Sequence, residues 1–154
     1  MKNDSRLRFR VWHNKRKLYI FNIVLSYVNG ELTIYERLSN GRTELLPKEH
    51  IEIEQSTGIK DAVGNFIYEN DIIWDFTWWW GAGYVYLAKG CGPCKDDSSM
   101  SYICAKRLED PIGSAAYNVW NGEDVLVLGN IHQDKEILDY SPEQLHKYIY
   151  KEEN

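Results

Sequence analysis

The chain has 154 residues, of which 44% are hydrophobic and 27% charged, values that are ordinary for a soluble globular protein and exclude global disorder. No apolar run reaches the roughly 18 residues that a membrane helix needs, and the charged N-terminus lacks the apolar core of a signal peptide. Three cysteines are too few for a disulfide scaffold. We therefore expect a cytoplasmic protein with no membrane partner.

The net charge of −5 is unevenly distributed along the chain. Residues 1–17 carry seven basic side chains and one acidic one, whereas the rest of the chain has twice as many acidic as basic side chains. A basic start on an acidic body could contact nucleic acid, or the acidic surface of the same or a neighbouring subunit. The alternative, which we expect more, is that these basic side chains form the solvated face of a strand.

The first strand is predicted by strict alternation over residues 6–12. Three apolar side chains face one way and three arginines the other: Leu7, Phe9 and Val11 against Arg6, Arg8 and Arg10. Residues 18–27 read as a second strand. Asn29-Gly30 tolerates positive φ at both centres of a type I′ turn and therefore predicts a hairpin.

Loops and strands alternate through the rest of the chain. Residues 57–64 carry two glycines and an aspartate and predict a loop with a tight turn. Residues 89–101 are rich in Gly, Cys, Asp and Ser and predict an exposed loop. Val125–Leu128 is apolar on both faces and predicts a central strand. Ser141 as N-cap and Pro142 at the first helical position predict a short amphipathic helix that closes the chain.

Many short strands with frequent turns favour a mainly β fold. We predict a small β-barrel-like core of short antiparallel strands with a short C-terminal helix. The predicted organisation is a single domain over 1–154, with N-terminal strands and a hairpin at 6–50, the core at about 51–140 and the helix at 142–150.

Three segments together resemble the YopX family, whose members are encoded by temperate phages and prophages. They are Arg8-Phe9-Arg10-Val11-Trp12, the stretch from Gln55-Ser56-Thr57-Gly58-Ile59-Lys60-Asp61 through Gly64 to Ile67-Tyr68-Glu69-Asn70-Asp71-Ile72-Ile73, and Leu128-Gly129-Asn130-Ile131-His132. The resemblance implies a compact, mostly β fold with a barrel-like core in a protein of a bacterial host. It implies no activity and supplies no catalytic residues.

The middle segment is interpreted as turn chemistry that sets the fold. Asn70 stands where the family usually has glycine, so a turn with positive φ must be tolerated there by asparagine. Glu69 and Asp71 are expected to be exposed acids whose side chains accept hydrogen bonds from turn amides.

The cysteines allow a zinc or thiol hypothesis. Cys91, Cys94 and Cys104, with His132 as the fourth ligand, would make a Cys₃His tetrahedron. Cys91-Gly92-Pro93-Cys94 also has the form of a thiol–disulfide exchange motif, although no amphipathic helix follows it. The alternative is that these are reduced thiols without a cofactor, which is our main expectation.

Aromatic and basic residues supply the other candidate sites. Trp78, Trp79 and Trp80 follow one another on a predicted strand, so at least one indole leaves the main core face and could form a subunit interface. Arg6, Arg8 and Arg10, with Trp12 or Trp79 for stacking, could bind single-stranded nucleic acid.

Nucleophile–base pairs, paired carboxylates and phosphate-binding loops are not recognisable in the sequence. We therefore predict a non-enzymatic, phage- or prophage-encoded accessory protein. It would act as a homo-oligomeric interaction module, with a phage or host protein as a possible further partner. A single-stranded nucleic-acid binder and a zinc- or thiol-dependent protein are the alternatives.

Overall fold

A computed structural model describes residues 8–76, 84–93, 101–106, 117–119 and 124–150. The described residues form mainly antiparallel β-strands, with one short C-terminal helix. The fold class predicted from the sequence is confirmed.

The described residues form two compact units. The N-terminal unit is Phe9–Glu54, and the larger unit comprises Arg8 and the chain from Gln55 onward. The assignment of 1–154 to a single domain stays a prediction.

The N-terminal unit is built from short strands around a small apolar core. In chain order they are β1 (Phe9–His13), β2 (Leu18–Ile20), β3 (Ile23–Val28), β4 (Glu31–Arg37), β5 (Thr43–Leu45) and the first part of β6 (Ile51–Lys60). The strand orders are β2-β1-β6 and β3-β4-β5. The core consists of four buried side chains, Val11, Ile20, Ile34 and Leu46.

The single strand predicted over residues 18–27 is wrong, because the chain forms two strands separated at Phe21 and Asn22. β2 pairs with β1 and β3 pairs with β4, so the chain changes sheet at this point. The Arg37 amide donates to the Asn22 carbonyl at 2.6 Å, which begins the second pairing. The sequence does not reveal the change, since both segments are rich in apolar residues and each is compatible with one continuous strand.

The Asn29-Gly30 hairpin is confirmed. φ is 51° at Asn29 and 80° at Gly30, the two positive values of a type I′ turn. Val28 and Glu31 face each other across the two-residue loop, and the register continues to Ile23 opposite Glu36.

The larger unit contains the second part of β6 and six further strands. They are β7 (Phe66–Tyr68), β8 (Asp71–Asp75), β9 (Tyr84–Pro93), β10 (Ser101–Lys106), β11 (Tyr117–Val119) and β12 (Val125–Asn130). β6 pairs with β7, and the other five form one antiparallel sheet in the order β11-β10-β9-β8-β12.

Both predicted loops are partly strand. Residues 57–60 belong to β6, where Gly58 at φ 79° accommodates an irregularity in the pairing with β7 without ending it. Residues 89–93 belong to β9 and pair with β10. Glycine and polar residues lower strand propensity, but backbone pairing with a neighbouring strand overrides that preference here.

The prediction of a central position for Val125–Leu128 is also wrong, because β12 is the end strand of the described sheet. Its apolar character comes from burial on its faces: Val125 packs in one core cluster and Leu128 against another. The outer edge is covered locally, since the Ala62 amide donates to the Val125 carbonyl at 2.9 Å. Covering an edge in this way satisfies backbone groups that a neighbouring strand would otherwise pair.

The C-terminal helix α1 spans Pro142–Tyr150, as the sequence predicts. Ser141 Oγ accepts from the Gln144 amide at 3.3 Å, and Gln144 Oε1 accepts from the Ser141 amide at 2.9 Å. This reciprocal pair is a capping box. Leu145 is buried in a cluster with Ile72, Leu87 and Ile137, which attaches the helix to the sheet.

Within the described residues, α1 and the shorter helical turns fall short of the length and apolar content needed to cross a bilayer.

Candidate functional site

The β3–β4 hairpin carries large apolar side chains that are open to solvent. Tyr27 is 75% exposed and lies opposite Leu32, which is 38% exposed, while Leu25 lies two residues before Tyr27 on the same face and is 45% exposed. We call these three side chains the hairpin surface. Clustered apolar exposure of this kind marks interaction sites more often than scattered single residues do.

The hairpin surface continues the core of the N-terminal unit. Leu25 lies opposite Ile34, which is buried at 4% exposure and packs in the core with Leu46. One face of the hairpin is therefore covered at one end and uncovered at the other. In the sequence, residues 23–28 include a single small polar residue, Ser26, so the pattern does not show which apolar side chains are covered.

The structure places Arg10 and Trp12 in packed surroundings. Arg10 Nε donates to Glu54 Oε2 at 2.6 Å, and its guanidinium lies 4.6 Å from the centre of the Tyr19 ring. Trp12 is 2% exposed and meets Tyr19 edge-to-face at 5.0 Å. The suggestion that Trp12 stacks on a base is therefore corrected: both faces of β1 are buried at this end, and the indole is a packing group.

Arg8 is exposed, and its guanidinium lies 4.6 Å from the centre of the Phe66 ring. Arg6, Trp78, Trp79 and Trp80 lie outside the described residues. The nucleic-acid and interface hypotheses that depend on these four residues stay predictions.

Two of the three cysteines lie on paired strands of the larger unit. Cys91 in β9 lies opposite Ile103, and Cys104 in β10 lies opposite Gly90, so the two cysteines occupy neighbouring register positions on paired strands. Cys94 lies outside the described residues, and His132 is half-buried in the turn after β12. A zinc site on these four residues stays a prediction, checked by whether purified protein carries one equivalent of zinc.

The N-terminal unit contains a pair of neighbouring histidines, His13 and His50, that no sequence pattern indicates. His13 is 5% exposed at the end of β1, and its ring centre lies 6.0 Å from that of His50. His13 Nδ1 accepts a hydrogen bond from the Arg16 amide at 3.2 Å. Burial lowers the pKa of His13 below its usual value, and the charges of Arg16 and His50 lower it further, against a smaller raising effect of Glu36. The two residues are 37 positions apart, so no local motif could have indicated the pair.

The family-like segment at residues 55–73 forms a buried polar network. Asp61 Oδ1 accepts from the amides of Val63 at 3.1 Å and Asn65 at 2.8 Å, and its other oxygen accepts from the Val127 amide at 3.2 Å. Thr57 Oγ1 donates to the Ile67 carbonyl at 2.9 Å. These contacts satisfy turn and strand-edge groups, which supports the structural interpretation of this segment.

Two acidic side chains in this segment are less exposed than the sequence predicts. Asp71 is buried and accepts from the Tyr68 amide at 2.8 Å, while Glu69 is half-buried and accepts from the Gln55 amide at 3.0 Å. The expected bond to an amide at the turn is confirmed for Asp71, whereas Glu69 accepts from an amide within strand β6. Asn70 has φ 65°, which confirms that asparagine adopts the left-handed conformation there.

The last family-like segment ends β12 in a side-chain-stabilised turn. Asn130 Oδ1 accepts from the amides of His132 at 3.0 Å and Gln133 at 3.1 Å, and Asp134 Oδ2 accepts from the Asn130 amide at 3.0 Å. A Cβ added at Gly129 would lie 2.6 Å from Asp134 Cγ, so the carboxylate fits only because residue 129 is glycine.

The comparisons with known proteins cover most of the chain. The structure of protein EF1440 from Enterococcus faecalis has a TM-score of 0.47 at 21% identity, over 85% of this chain and 96% of that one. The structure of protein yopX from Bacillus subtilis has a TM-score of 0.49 at 13% identity, over 85% of this chain and 97% of that one. A search of curated proteins finds no match. The family model described as YopX protein matches residues 8–139, and the chain therefore belongs to the YopX family.

Proposed function

We propose that this YopX-family chain is a phage- or prophage-encoded accessory protein that acts as a non-enzymatic, self-associating interaction module. The observation that carries the proposal is the hairpin surface, where Leu25, Tyr27 and Leu32 present apolar groups to solvent. Burying such groups against a partner removes apolar area from water, which is the main favourable term in protein association.

We propose a phage or prophage origin because of the family resemblance. We propose that the protein is not an enzyme because polar side chains of the family-like segment bond backbone groups of the fold. The carboxylate of Asp61 and the hydroxyl of Thr57 are engaged with backbone groups of the fold. Residues engaged in this way hold turns and strand edges together and are poorly placed to take part in a reaction.

The test is size-exclusion chromatography with light scattering over a range of micromolar concentrations, with the absorbance ratio at 260 and 280 nm recorded across the peak. We expect a nucleic-acid-free oligomer of defined mass. A monomer at every concentration would contradict the proposal.

A single-stranded nucleic-acid binder is the second candidate, and one observation favours it. Phe21 is 81% exposed and its ring centre lies 6.5 Å from that of Tyr19, which carries the Arg10 guanidinium on its face. Exposed aromatic rings beside arginine are what single-strand binders use for base stacking.

This second candidate is tested by titrating a fluorescent oligonucleotide at low salt into the wild type and into Phe21→Ala. Binding that weakens in the variant and falls steeply with salt would support it. The matched control is Val63→Ala, which removes another exposed apolar side chain, 71% exposed, from a turn in the larger unit. An oligonucleotide signal that stays flat at low salt would dismiss the candidate.

A further inference from the structure

We infer that strand β3 is the element through which two copies of this chain pair, edge to edge and antiparallel, so that their three-stranded sheets join into one. This inference rests on the proposed function and names both its partner and its geometry. In the sheet β3-β4-β5, β3 is an end strand that pairs with β4 on one side.

The open side of β3 is defined by its hydrogen-bonding pattern. In a hairpin closed by a two-residue turn, the flanking pair Val28 and Glu31 is hydrogen-bonded, and every second pair after it is too. Asn22, six residues before Val28, accepts from Arg37 and so confirms this phase. The backbone groups of Ile23, Leu25 and Tyr27 therefore point away from β4, along the outer edge.

The composition of β3 leaves this edge without the usual protection. Its six residues, Ile23–Val28, include no charge and no proline. Soluble proteins commonly place lysine, proline or a bulge on an edge strand to prevent pairing with another chain. The register from Ile23 to Val28 is continuous, so β3 is a regular template for a further strand.

A second copy is the partner that fits this edge best. Antiparallel pairing about a two-fold axis at Leu25 places Leu25 opposite Leu25 of the other copy, and Ile23 opposite Tyr27. All of these residues offer outward backbone groups and apolar side chains. No like charges meet across the axis, because the strand has none, and Leu25 and Tyr27 of both copies would form one continuous apolar face.

A charge exchange at residue 25 tests the pairing. Leu25→Lys and Leu25→Glu each place like charges across the two-fold axis, which destabilises direct cross-strand pairs. Each variant alone should associate at least about tenfold more weakly than the wild type, and an equimolar mixture of the two should recover association as a heterodimer. Light scattering and native mass spectrometry of the separate and mixed variants measure this.

The matched control is the same exchange at Val63, where Val63→Lys and Val63→Glu should associate like the wild type. Circular dichroism shows whether each variant keeps its strands. If the wild type is an oligomer and both Leu25 variants associate as it does, the β3 pairing is wrong while self-association stands. The same conclusion follows if the equimolar mixture of the two variants does not recover association. If the wild type is a monomer, the proposed function fails with it.

Discussion

Gly129 is the position where the fold leaves the least room for a side chain. The Asp134 carboxylate lies over it and accepts from the Asn130 amide at 3.0 Å. Gly129→Ala should therefore lower the free energy of unfolding by about 1–3 kcal/mol, because the added methyl displaces the carboxylate. Urea denaturation followed by fluorescence measures the change.

The control for this prediction is a double-mutant cycle with Asp134→Gly. The two substitutions should be strongly non-additive, since only removal of the whole Asp134 side chain, whose Cβ would itself lie 2.7 Å from the added methyl, makes space for it. Additive effects would show that the close approach of Asp134 does not determine the choice of glycine.

His13 should make the stability of the protein depend on pH. The fold favours its neutral form, because the ring is buried and Nδ1 accepts from the Arg16 amide. Its pKa is lower in the folded chain than in the unfolded one, so its contribution is complete above the unfolded pKa and is lost as the pH falls through the folded pKa. Stability should decline as the pH falls below about 6.5.

His13→Asn tests this dependence, because an asparagine oxygen can accept from the Arg16 amide without titrating. Denaturation midpoints between about pH 7 and pH 5 should change less in His13→Asn than in the wild type. His146→Asn, at an exposed position of α1, makes the same substitution elsewhere in the chain and serves as the matched control. Equal pH dependence in all three proteins would rule out His13 as the source.

At the scale of elements, α1 depends on its cap. Ser141 and Gln144 bond each other's backbone amides, and Leu145 in the first turn is buried against the sheet. Ser141→Ala should destabilise the protein by about 1 kcal/mol. Chemical denaturation gives the value, and Ser141→Thr should restore most of the loss.

An element can be predicted from the sequence when its signal is local. Asn29-Gly30 and Ser141-Pro142 act through their own backbones, so the sequence predicts the hairpin and α1 correctly. The apolar character of β12 indicates burial but not strand order, so the sequence does not show that β12 is an end strand. The break at Phe21–Asn22 is not predictable for a similar reason, since it depends on which strand each half pairs with.

The candidate sites were less predictable than the fold. The alternation of arginines at residues 6–10 is real in sequence, but burial of Trp12 and pairing of Arg10 with Glu54 are contacts between distant residues. The hairpin surface was equally hidden, because Leu25 and Ile34 look alike in sequence and only packing leaves one exposed and the other buried.

At the scale of the whole molecule, the self-association that we propose would link stability to protein concentration. If copies associate only when folded, the apparent stability should rise with protein concentration by mass action. Thermal unfolding over an about hundredfold concentration range should show a rising midpoint for the wild type and a constant one for Leu25→Lys. A constant midpoint in both would indicate that association, if present, contributes nothing to folding.

The pairing of β12 with β8 has a consequence for how this fold is reached and how it varies. Val127 lies opposite Ile73, so this ladder closes a chain segment of more than fifty residues. Strands β8 to β11 each pair with the next strand in the sequence, so these pairs can form early in folding. β12 pairs with β8, which requires closure of a much longer chain segment, so we expect this pair to form later. Since closure entropy grows only by about 0.6 kcal/mol for each doubling of length, insertions between β8 and β12 should be tolerated at little energetic expense. We therefore expect that residues inserted between β8 and β12 would leave the pairing of these two strands intact.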